Sequence, residues 1–336
     1  MSPRPTIDHR RVLITTVPFG ELDRRPLELL RAAGIAYDIN PAGRRLREDE
    51  LAEVIGGYPA VIAGTEPITE RVIAAGADLA LIARVGIGLD NVDLVAARRR
   101  GIAVTYTPDA PSPAVAELTI GLMLDLLRGI SAADRHVRRG AWPRLMGRRL
   151  SGSVVGVIGC GRIGRLVIRH LCGGFSNVRI LANDIAPDRA SPDLASVEWV
   201  DKERIYEEAD LITLHLPLTA RTNRLIGARE LERMKPDVLL VNTSRGDMIV
   251  EADLACALRA GRVGGAAIDV FSCEPYGGDL RGLDQCVLTT HMGSMARDCR
   301  RRMEIEAAME VIRFFNHEPL HAVVPECEYA RLESFS

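Results

Sequence analysis

The sequence predicts an α/β fold with two doubly wound parallel-sheet domains. Short apolar runs suited to buried parallel strands alternate with amphipathic helical segments along the chain, and the loops between them are short. This alternation is typical of a parallel sheet that is covered by helices on both faces. At 336 residues, the chain is also longer than a single hydrophobic core usually supports. Two such domains are therefore expected.

Four apolar runs and the helical patterns between them predict the first domain. The expected strands are Val12–Val17, Pro59–Gly64, Leu79–Val85 and Ile102–Tyr106. The expected helices are Arg24–Ala33, Thr69–Ala75 and Val92–Arg100. The segment TPDAPSP then contains three prolines, which interrupt regular structure and predict the end of this domain.

A second series of six apolar runs begins near Ser153 and predicts the second domain. The runs are SVVGVIG, NVRILAND, LITLHLP, VLLVNTS, VGGAAIDV and CVLTT. A long helix is expected before the series, over Ala114–Arg128, and another after it, over Met295–Phe315. The stretch that follows, NHEPLHAVVP, could cross back to the first domain. The predicted domains are a discontinuous one of 1–107 with 297–336 and a continuous one of 108–296.

Composition excludes several classes of function. The net charge of −2 provides no overall field that would favour nucleic acid or an anionic membrane. All but two of the 43 basic residues are arginine, and the two lysines lie in charged helical patterns, which argues against Schiff-base catalysis. The seven cysteines are scattered, so we expect reduced thiols and no metal site. Without a signal-peptide pattern or a long apolar stretch, a soluble cytoplasmic protein is expected.

The most specific motif follows the first run of the second series. The strand SVVGVIG leads directly into a complete G-x-G-x-x-G sequence, Gly159-Cys160-Gly161-Arg162-Ile163-Gly164. A helical pattern comes next, and then the strand NVRILAND, which ends at Asp184. Together these elements form the fingerprint of a dinucleotide-binding Rossmann unit.

Each position of this fingerprint has a physical role. Gly159 permits the tight turn, Gly161 lets the backbone approach a pyrophosphate, and Gly164 lets the helix pack closely on the strand. Asp184 lies about 20 residues further on, where a carboxylate holds the ribose hydroxyls and repels a 2′-phosphate. The expected cofactor is therefore NAD, although Arg162 and Arg189 leave NADP open.

Three polar side chains follow later strands, at the edge where open α/β sheets bind their ligands. Arg245 comes after VLLVNTS, Glu274 after VGGAAIDV and His291 after CVLTT. Arginine is suited to binding the carboxylate of a 2-oxo acid, and histidine to protonating the nascent alkoxide. A carboxylate beside the histidine stabilises its protonated form. Any one of these residues alone could instead be a loop residue bonded to local backbone.

The motifs together resemble the D-isomer-specific 2-hydroxyacid dehydrogenases, most closely the D-3-phosphoglycerate dehydrogenases. The resemblance covers roughly Arg84 to His317 and rests on RVGIGLDNVDLVAARRRGIAV, VAELTIGLML, VIGCGRIG, HLPLTARTNRLI, VNTSRGDMIVE, GGAAIDVFSCEP and THMGS. It implies a substrate-binding (flavodoxin-like) domain, an NAD-binding Rossmann domain, and an active site in the cleft between them. It also implies a homodimer through the NAD-binding domain, by way of the Ala114–Leu150 region.

The resemblance assigns roles residue by residue. It implies that Arg245 binds the substrate, that His291 is the acid and base, and that Glu274 is its partner. Asp269 is similar to the residue that meets the nicotinamide carboxamide. Positions similar to those that line the cofactor by backbone are Leu216, Thr243, Ser244 and Gly293, beside Arg162, Ile163 and His291. The substrate carboxylate is expected on the backbone amides of Val85, Gly86, Ile87 and Gly88.

Departures from the family pattern concern the substrate. Gly64 stands where phosphoglycerate-specific members often have an arginine, and Pro111 where an amide side chain is usual. Arg84 and Arg144 nevertheless match basic residues near the substrate, the latter one that can reach the partner subunit's site. The expectation is a phosphoryl- or phosphonyl-bearing acid, with a hydroxypyruvate or glyoxylate reductase as the alternative.

Two other functions are found on similar folds. An NAD-sensing regulatory protein on the same fold would keep the same motifs, so only turnover separates it from an enzyme. A formate dehydrogenase is disfavoured because that branch pairs its histidine with an amide, whereas Glu274 is acidic.

Overall fold

The structure is a computed structural model that describes residues 10–326, 328 and 329. The described chain forms two compact α/β units. Unit 1 runs as far as Pro111 and resumes at Ala296, and unit 2 is Ser112–Met295. The outermost parts of the predicted discontinuous domain, 1–9 and 330–336, lie outside the described residues, as does Cys327. The predicted fold class of two parallel α/β domains is confirmed.

Unit 1 is built on a five-stranded parallel sheet with the order β2-β1-β3-β4-β5. Its strands are β1 (Arg11–Ile14), β2 (Ala36–Ile39), β3 (Ala60–Ala63), β4 (Leu81–Arg84) and β5 (Ala103–Thr105). Its helices are α1 (Arg25–Ala32), α2 (Glu48–Val54), α3 (Glu70–Ala75), α4 (Leu94–Arg99) and, after unit 2, α11 (Arg297–Phe315). The predicted strands and helices of this unit are present. Most are shorter than predicted at one end or both, and β1 begins at Arg11, one residue before its predicted start.

Two elements of unit 1 were not predicted, for reasons visible in their burial. The edge strand β2 has the sequence AYDI, and all four of its residues are partly or fully exposed, so it lacks an apolar run. The helix α2 has the sequence EDELAEV, and Leu51 is its one buried residue. A helix that is acidic on most of its surface shows no clear hydrophobic periodicity.

The chain after α11 packs against unit 1. Val323 forms an antiparallel bridge with Thr105, and the Val324 amide donates to the carbonyl of Val104 at 3.0 Å. The buried carboxylate of Glu310 on α11 accepts the amide of His321 at 3.0 Å, which holds the returning segment.

Unit 2 is built on a seven-stranded parallel sheet with the order β12-β11-β10-β9-β6-β7-β8. Its strands are β6 (Val154–Ile158), β7 (Arg179–Asn183), β8 (Glu198–Trp199), β9 (Leu211–Leu214), β10 (Leu239–Asn242), β11 (Gly265–Ile268) and β12 (Cys286–Leu288). Its helices are α5 (Ser112–Arg128), α6 (Ile130–Arg138), α7 (Arg162–Gly174), α8 (Lys202–Glu208), α9 (Ala228–Arg233) and α10 (Glu251–Arg259).

The position of β6 in this sheet defines where a ligand is expected. It pairs with β7 on one side and β9 on the other, so the strand order reverses there. In open α/β sheets such a reversal leaves a crevice at the carboxyl ends of the strands, where ligands bind. The glycine motif starts at that end of β6.

Two negative findings concern the described residues. No helix among them is long and apolar enough to cross a membrane. Within the same residues there is also no group of three or more His, Cys, Asp or Glu side chains arranged to hold a metal ion.

Candidate active site

The turn after β6 needs glycine at two of its three motif positions. Gly159 has a φ of +96°, and a Cβ there would lie 2.4 Å from the carbonyl oxygen of His215. A Cβ on Gly164 would lie 1.9 Å from the carbonyl oxygen of Gly159. A Cβ on Gly161 would meet no described atom within 4 Å. Backbone atoms therefore pack tightly against Gly159 and Gly164. At Gly161, just before the N-terminus of α7, there is space for a ligand to approach the backbone.

Asp184 connects the end of β7 to this turn. One carboxylate oxygen accepts the amide of Cys160 at 2.7 Å, and the other accepts the amide of Ala186 at 2.9 Å. Each carboxylate oxygen has two acceptor sites, so both retain capacity for hydroxyl donors. The carboxylate is therefore held in one orientation without being saturated.

The other residues of the motif have distinct surroundings. Arg162 is exposed at the start of α7, and Ile163 is half-buried against the core of unit 2. Burial, and then the neighbouring Asp184 carboxylate, raise the pKa of the Cys160 thiol to about 12. Cys160 is therefore a protonated packing residue rather than a reactive thiol.

His215, at the end of β9, has a buried polar atom that a ligand could satisfy. Its Nε2 lies 3.0 Å from the hydroxyl of Thr213, but Nδ1 is buried and finds no hydrogen-bond partner among the described residues. Burial lowers the pKa of His215 to about 3, so the ring is neutral. Next to it, Leu216 packs against the position of Gly159.

The groups around the turn fit a dinucleotide. They comprise a backbone open at Gly161, the N-terminal amides of α7, a carboxylate at Asp184 and an orphaned ring nitrogen at His215. Amides at a helix N-terminus favour a pyrophosphate, and the carboxylate favours ribose hydroxyls. The residues present thus match the NAD expected from the sequence.

Glu274 and His291 form a hydrogen-bonded pair at the carboxyl end of the same sheet, in the loops that follow β11 and β12. The His291 Nδ1 lies 2.9 Å from Oε2 of Glu274, and Oε1 of Glu274 accepts the amide of Phe271 at 3.1 Å. Because β11 and β12 are neighbours, the loops that follow them meet. The structure therefore brings these two predicted residues together.

Arg245 follows the next strand of the sheet, β10. Its Nη1 donates to the carbonyl of Ser244 at 2.6 Å. A Cβ on Gly246 would lie 2.0 Å from the backbone of Phe271, so the turn after Arg245 packs directly on the loop that leads to Glu274. Glycine at 246 is what allows this close approach.

Asp269 holds the loop that carries His291. Its carboxylate, which is 1% exposed, accepts the hydroxyl of Thr289 at 2.6 Å and the amides of Met292 and Gly293 at 2.9 Å each. The backbone carbonyl of Asp269 also accepts the amide of His291 at 2.8 Å. His291 has a φ of +51°, an unfavourable conformation that these bonds maintain. Three of the four acceptor sites of Asp269 are thus used within the protein.

The residues between β10 and Arg245 are fixed in a similar way. Asn242 is fully buried; its side chain donates to the carbonyl of Arg245 at 2.8 Å and accepts the amide of Ser244 at 3.0 Å. The Ser244 hydroxyl donates to the carbonyl of Leu214 at 2.5 Å. Thr243 shares a hydrogen bond with the hydroxyl of Thr119 on α5 at 3.0 Å. Asn242 was not predicted as a site residue, although a polar residue that ends an apolar strand could have indicated it.

In unit 1, two amides of the expected carboxylate-binding loop already have hydrogen-bond partners within the protein. The amide of Val85 donates to the carbonyl of Ala63 at 2.8 Å, and the amide of Gly86 donates to the hydroxyl of Thr107 at 2.8 Å. These two amides are occupied by the protein because the loop continues the hydrogen bonding of β4. The amides of Ile87 and Gly88 are the remaining candidates for an anion.

Arg84 lies beneath this loop. Its side chain is almost buried, with the residue 6% exposed; Nε donates to the side chain of Asn91 at 3.0 Å and Nη1 to the carbonyl of Val85 at 2.5 Å. A Cβ on Gly86 would lie 2.5 Å from Nη1 of Arg84, so the loop rests on the guanidinium. Arg84 therefore supports the loop from below.

The carboxylate of Glu66 lies next to Gly64. A Cβ at this position would lie 2.7 Å from the hydroxyl of Thr16 and 2.9 Å from Oε2 of Glu66. Glu66 is 1% exposed and accepts the amide of Gly64 at 2.8 Å and the hydroxyl of Thr15. Arg144, by contrast, is an exposed residue of unit 2 in a stretch without regular structure.

Comparisons with known proteins show the family to which the chain belongs. Residues 120–293 match the family model for "D-isomer specific 2-hydroxyacid dehydrogenase, NAD binding domain". The chain is 36% identical over 299 residues to a hydroxypyruvate reductase of Thermotoga maritima, covering 87% of this chain and 95% of that protein. It is 34% identical over 272 residues to a D-3-phosphoglycerate dehydrogenase of Synechocystis, covering 79% of this chain and only 48% of that protein.

A solved structure is similar over nearly the whole length. It is a glyoxylate reductase from Paecilomyes thermophila, with 26% identity, a TM-score of 0.83, and coverage of 96% of this chain and 100% of that one. The dinucleotide-binding turn, the residues at the neighbouring strand ends and these similarities lead to one assignment. The chain belongs to the family of D-isomer specific 2-hydroxyacid dehydrogenases, which are NAD-dependent enzymes.

Proposed function

We propose that this protein interconverts a D-2-hydroxy acid and the corresponding 2-oxo acid, with Arg245, Glu274 and His291 as its catalytic machinery. The observation that carries the proposal is the 2.9 Å contact between Nδ1 of His291 and Oε2 of Glu274. A histidine paired with a carboxylate at the ligand-binding edge of a dinucleotide-binding sheet is suited to proton transfer.

The roles of the three residues follow from their chemistry. When bound, NADH supplies the hydride that reduces the carbonyl carbon. The guanidinium of Arg245 binds the substrate carboxylate and polarises the carbonyl oxygen. Because Nδ1 of His291 faces Glu274, Nε2 is the atom that gives its proton to the carbonyl oxygen. The Glu274 carboxylate stabilises the protonated ring before that transfer, and in the oxidative direction Nε2 takes the proton back.

Removing the imidazole tests this proposal. In His291→Ala we expect NADH oxidation with 2-oxo acids to slow by about 10²- to 10⁴-fold, with NADH affinity preserved. The exposed His170 on α7 offers a matched control, and His170→Ala should turn over like the wild type. Normal turnover of His291→Ala would contradict the assignment. Absence of turnover in the wild type with every acid tested would instead favour the NAD-sensing regulatory protein.

For the substrate, the surroundings of Gly64 and Arg84 favour a small acid with a single carboxylate, such as hydroxypyruvate or glyoxylate. The buried carboxylate of Glu66 would repel a phosphoryl group near position 64, and Arg84 is engaged beneath its own loop. The phosphoryl- or phosphonyl-bearing acid expected from the sequence is the second candidate, because Arg144 is exposed and could serve a second anion.

A panel of 2-oxo acids separates these candidates. The ratio of kcat/KM for glyoxylate and hydroxypyruvate to that for phosphorylated or phosphonylated analogues should exceed one. In Arg144→Ala this ratio should stay unchanged if no second anion is recognised. A ratio below one that rises in Arg144→Ala would favour the anionic substrate.

We also propose that the protein is a homodimer through unit 2. A cluster of apolar side chains on α6 and the segment after it is exposed, including Trp142 at 81% and Met146 at 98%. Exposed apolar patches of this kind mark protein interfaces. Met146→Glu should shift the sedimentation coefficient toward the monomer, whereas the control Leu22→Glu, on an exposed leucine of unit 1, should not. A monomeric wild type would contradict the proposal.

A further inference from the structure

Asn91 joins two loops at the carboxyl end of the unit 1 sheet. Its side-chain amide donates to the carbonyl of Gly64 at 3.1 Å and to that of Glu66 at 2.7 Å, both in the loop after β3. Its side-chain oxygen accepts Nε of Arg84, the last residue of β4, at 3.0 Å. Both donors and the acceptor oxygen of one carboxamide are therefore engaged. Asn91 was not predicted as a site residue.

The loop after β3 is a firm support for this side chain. One carboxylate oxygen of the buried Glu66 accepts both the amide of Gly64 and the hydroxyl of Thr15, so the loop is tied to the end of β1. The amide of Ile68 donates to the backbone carbonyl of Asn91 at 2.7 Å. Asn91 is thus held to this loop by its backbone as well as by its side chain.

Arg84 transmits the anchoring to the loop 85–88, which follows β4. Its Nη1 donates to the carbonyl of Val85 at 2.5 Å, and a Cβ on Gly86 would lie 2.5 Å from the same nitrogen. The guanidinium is planar, so the bond between Nε and Asn91 determines where Nη1 lies beneath the loop. Asn91 and the loop are therefore coupled through one rigid group, whose positive charge also favours a nearby anion.

The loop 85–88 retains donors for a ligand. The amides of Ile87 and Gly88 donate no hydrogen bond to the described residues. Consecutive backbone amides of this kind bind a carboxylate. Their direction depends on Gly86, which has a φ of +146° and rests on Arg84. A change in the support beneath Gly86 would therefore turn both amides.

We propose that Asn91 is a positioning residue for the substrate, acting through Arg84 on the amides of the loop 85–88. The inference rests on the proposed function, since it takes the anion at this loop to be the carboxylate of the 2-oxo acid. Without the carboxamide, Arg84 loses the acceptor that orients its plane, and the loop above it relaxes. Affinity for the acid then falls, whereas NADH, expected on unit 2, binds as before.

Asn91→Ala tests the proposal, with Asn40→Ala as a matched control. The buried Asn40 of unit 1 makes the same set of bonds, because its side chain donates to two backbone carbonyls and accepts one group. Both variants should lose stability in denaturant unfolding. Only Asn91→Ala should raise KM for glyoxylate and hydroxypyruvate, by about tenfold, with kcat and the NADH dissociation constant within about twofold of the wild type.

Oxamate provides a readout that does not depend on turnover, because it has the carboxylate and carbonyl of a 2-oxo acid but is not reduced. In calorimetric titrations with saturating NADH, Asn91→Ala should bind oxamate about tenfold more weakly than Asn40→Ala does. Arg84→Lys keeps the charge but lacks the plane that joins Asn91 to the loop, so it should also bind oxamate weakly. The double variant Asn91→Ala/Arg84→Ala should bind no more weakly than Arg84→Ala alone.

Three outcomes would overturn the positioning role. They are equal KM values in Asn91→Ala and Asn40→Ala, wild-type oxamate affinity in Arg84→Lys, and additive losses in the double variant. Failure of the proposed function has a different signature. In that case the wild type reduces no 2-oxo acid, although oxamate still binds the wild type more tightly than it binds Asn91→Ala, which would support the role of Asn91 at an anion site.

Discussion

Nδ1 of His291 lies 2.9 Å from Oε2 of Glu274, although 17 residues separate them in the chain. The contact exists because β11 and β12 are parallel neighbours, so the loops that leave them begin at the same edge of the sheet. A second oxygen of Glu274 accepts the amide of Phe271, which keeps the carboxylate in place. The pair is therefore preorganised by the sheet and by its own loop.

The first prediction concerns the charge of Glu274. In Glu274→Gln the amide can keep a hydrogen bond to Nδ1, but protonated His291 loses its counter-charge. We expect kcat for reduction to fall by about 10- to 100-fold, with NADH affinity preserved. A wild-type kcat in Glu274→Gln would contradict the electrostatic role.

The second prediction concerns Asp269 as the anchor of the His291 loop. In Asp269→Asn an amide NH₂ would face at least one of the three donors that the carboxylate accepts, and the loop would shift. We expect a loss of about 1–3 kcal/mol in the free energy of unfolding and at least a tenfold lower kcat.

Thr289→Val serves as a graded control for this anchor, since it removes only one of the three donors. Thr289→Val should lower both the free energy of unfolding and kcat, each by less than Asp269→Asn does. Wild-type kcat in Asp269→Asn would contradict the anchoring role. A weakened NADH affinity in Asp269→Asn, with Thr289→Val unaffected, would support the additional nicotinamide contact implied by the family.

The third prediction separates two glycines of the cofactor turn. Gly164→Ala places a methyl group 1.9 Å from the carbonyl oxygen of Gly159, so α7 must move and the free energy of unfolding should fall by about 1–3 kcal/mol or more. Gly161→Ala meets no described atom within 4 Å, so stability should be unchanged while NADH binds more weakly. Thermal unfolding and NADH titration of both variants check this. A large stability loss in Gly161→Ala would contradict it.

The fourth prediction concerns the pH dependence of stability at His215. Burial lowers the pKa of this ring to about 3, whereas in the unfolded chain it is near 6.5. Between these values the unfolded state binds the extra proton, so the free energy of unfolding decreases as the pH falls below about 6.5. At pH 4.5 this proton uptake lowers the free energy of unfolding by an amount on the order of 2 kcal/mol.

Denaturant unfolding of His215→Gln between pH 7 and 4.5 measures this contribution. The variant should lose less stability than the wild type over that range, because its side chain does not titrate. His170→Gln, on the exposed histidine of α7, is the control and should follow the wild type. A constant difference between His215→Gln and the wild type at all pH values would contradict the prediction.

The fold was predictable where strands are central and buried. Central strands such as β9 and β10 are buried along their whole length and read as apolar runs. The edge strands β2 and β8 were missed because each has one neighbour and exposed residues, so no apolar run reveals them. Pairing partners rather than local sequence create such strands.

The site was predictable only in part. Glycine spacing and the polar residues after each strand are local properties, so Gly159, Gly164 and Asp184 could be recognised in the sequence. The occupied amides of Val85 and Gly86 could not, because their acceptors come from other strands and loops. The same is true of the bonds that Arg84 makes beneath its loop.

The sequence by itself determined the class of fold and the cofactor, and it indicated the residues that we propose for proton transfer and carboxylate binding. These depend on hydrophobic periodicity and on short motifs, which act over a few residues. Only the tertiary structure decided which polar groups are already used: Asp269 by the His291 loop, Arg84 by Asn91, and the space at Gly64 by Glu66. The physical reason is that a buried polar group must find its hydrogen-bond partner wherever the fold provides one. That partner in turn determines which groups remain for the substrate.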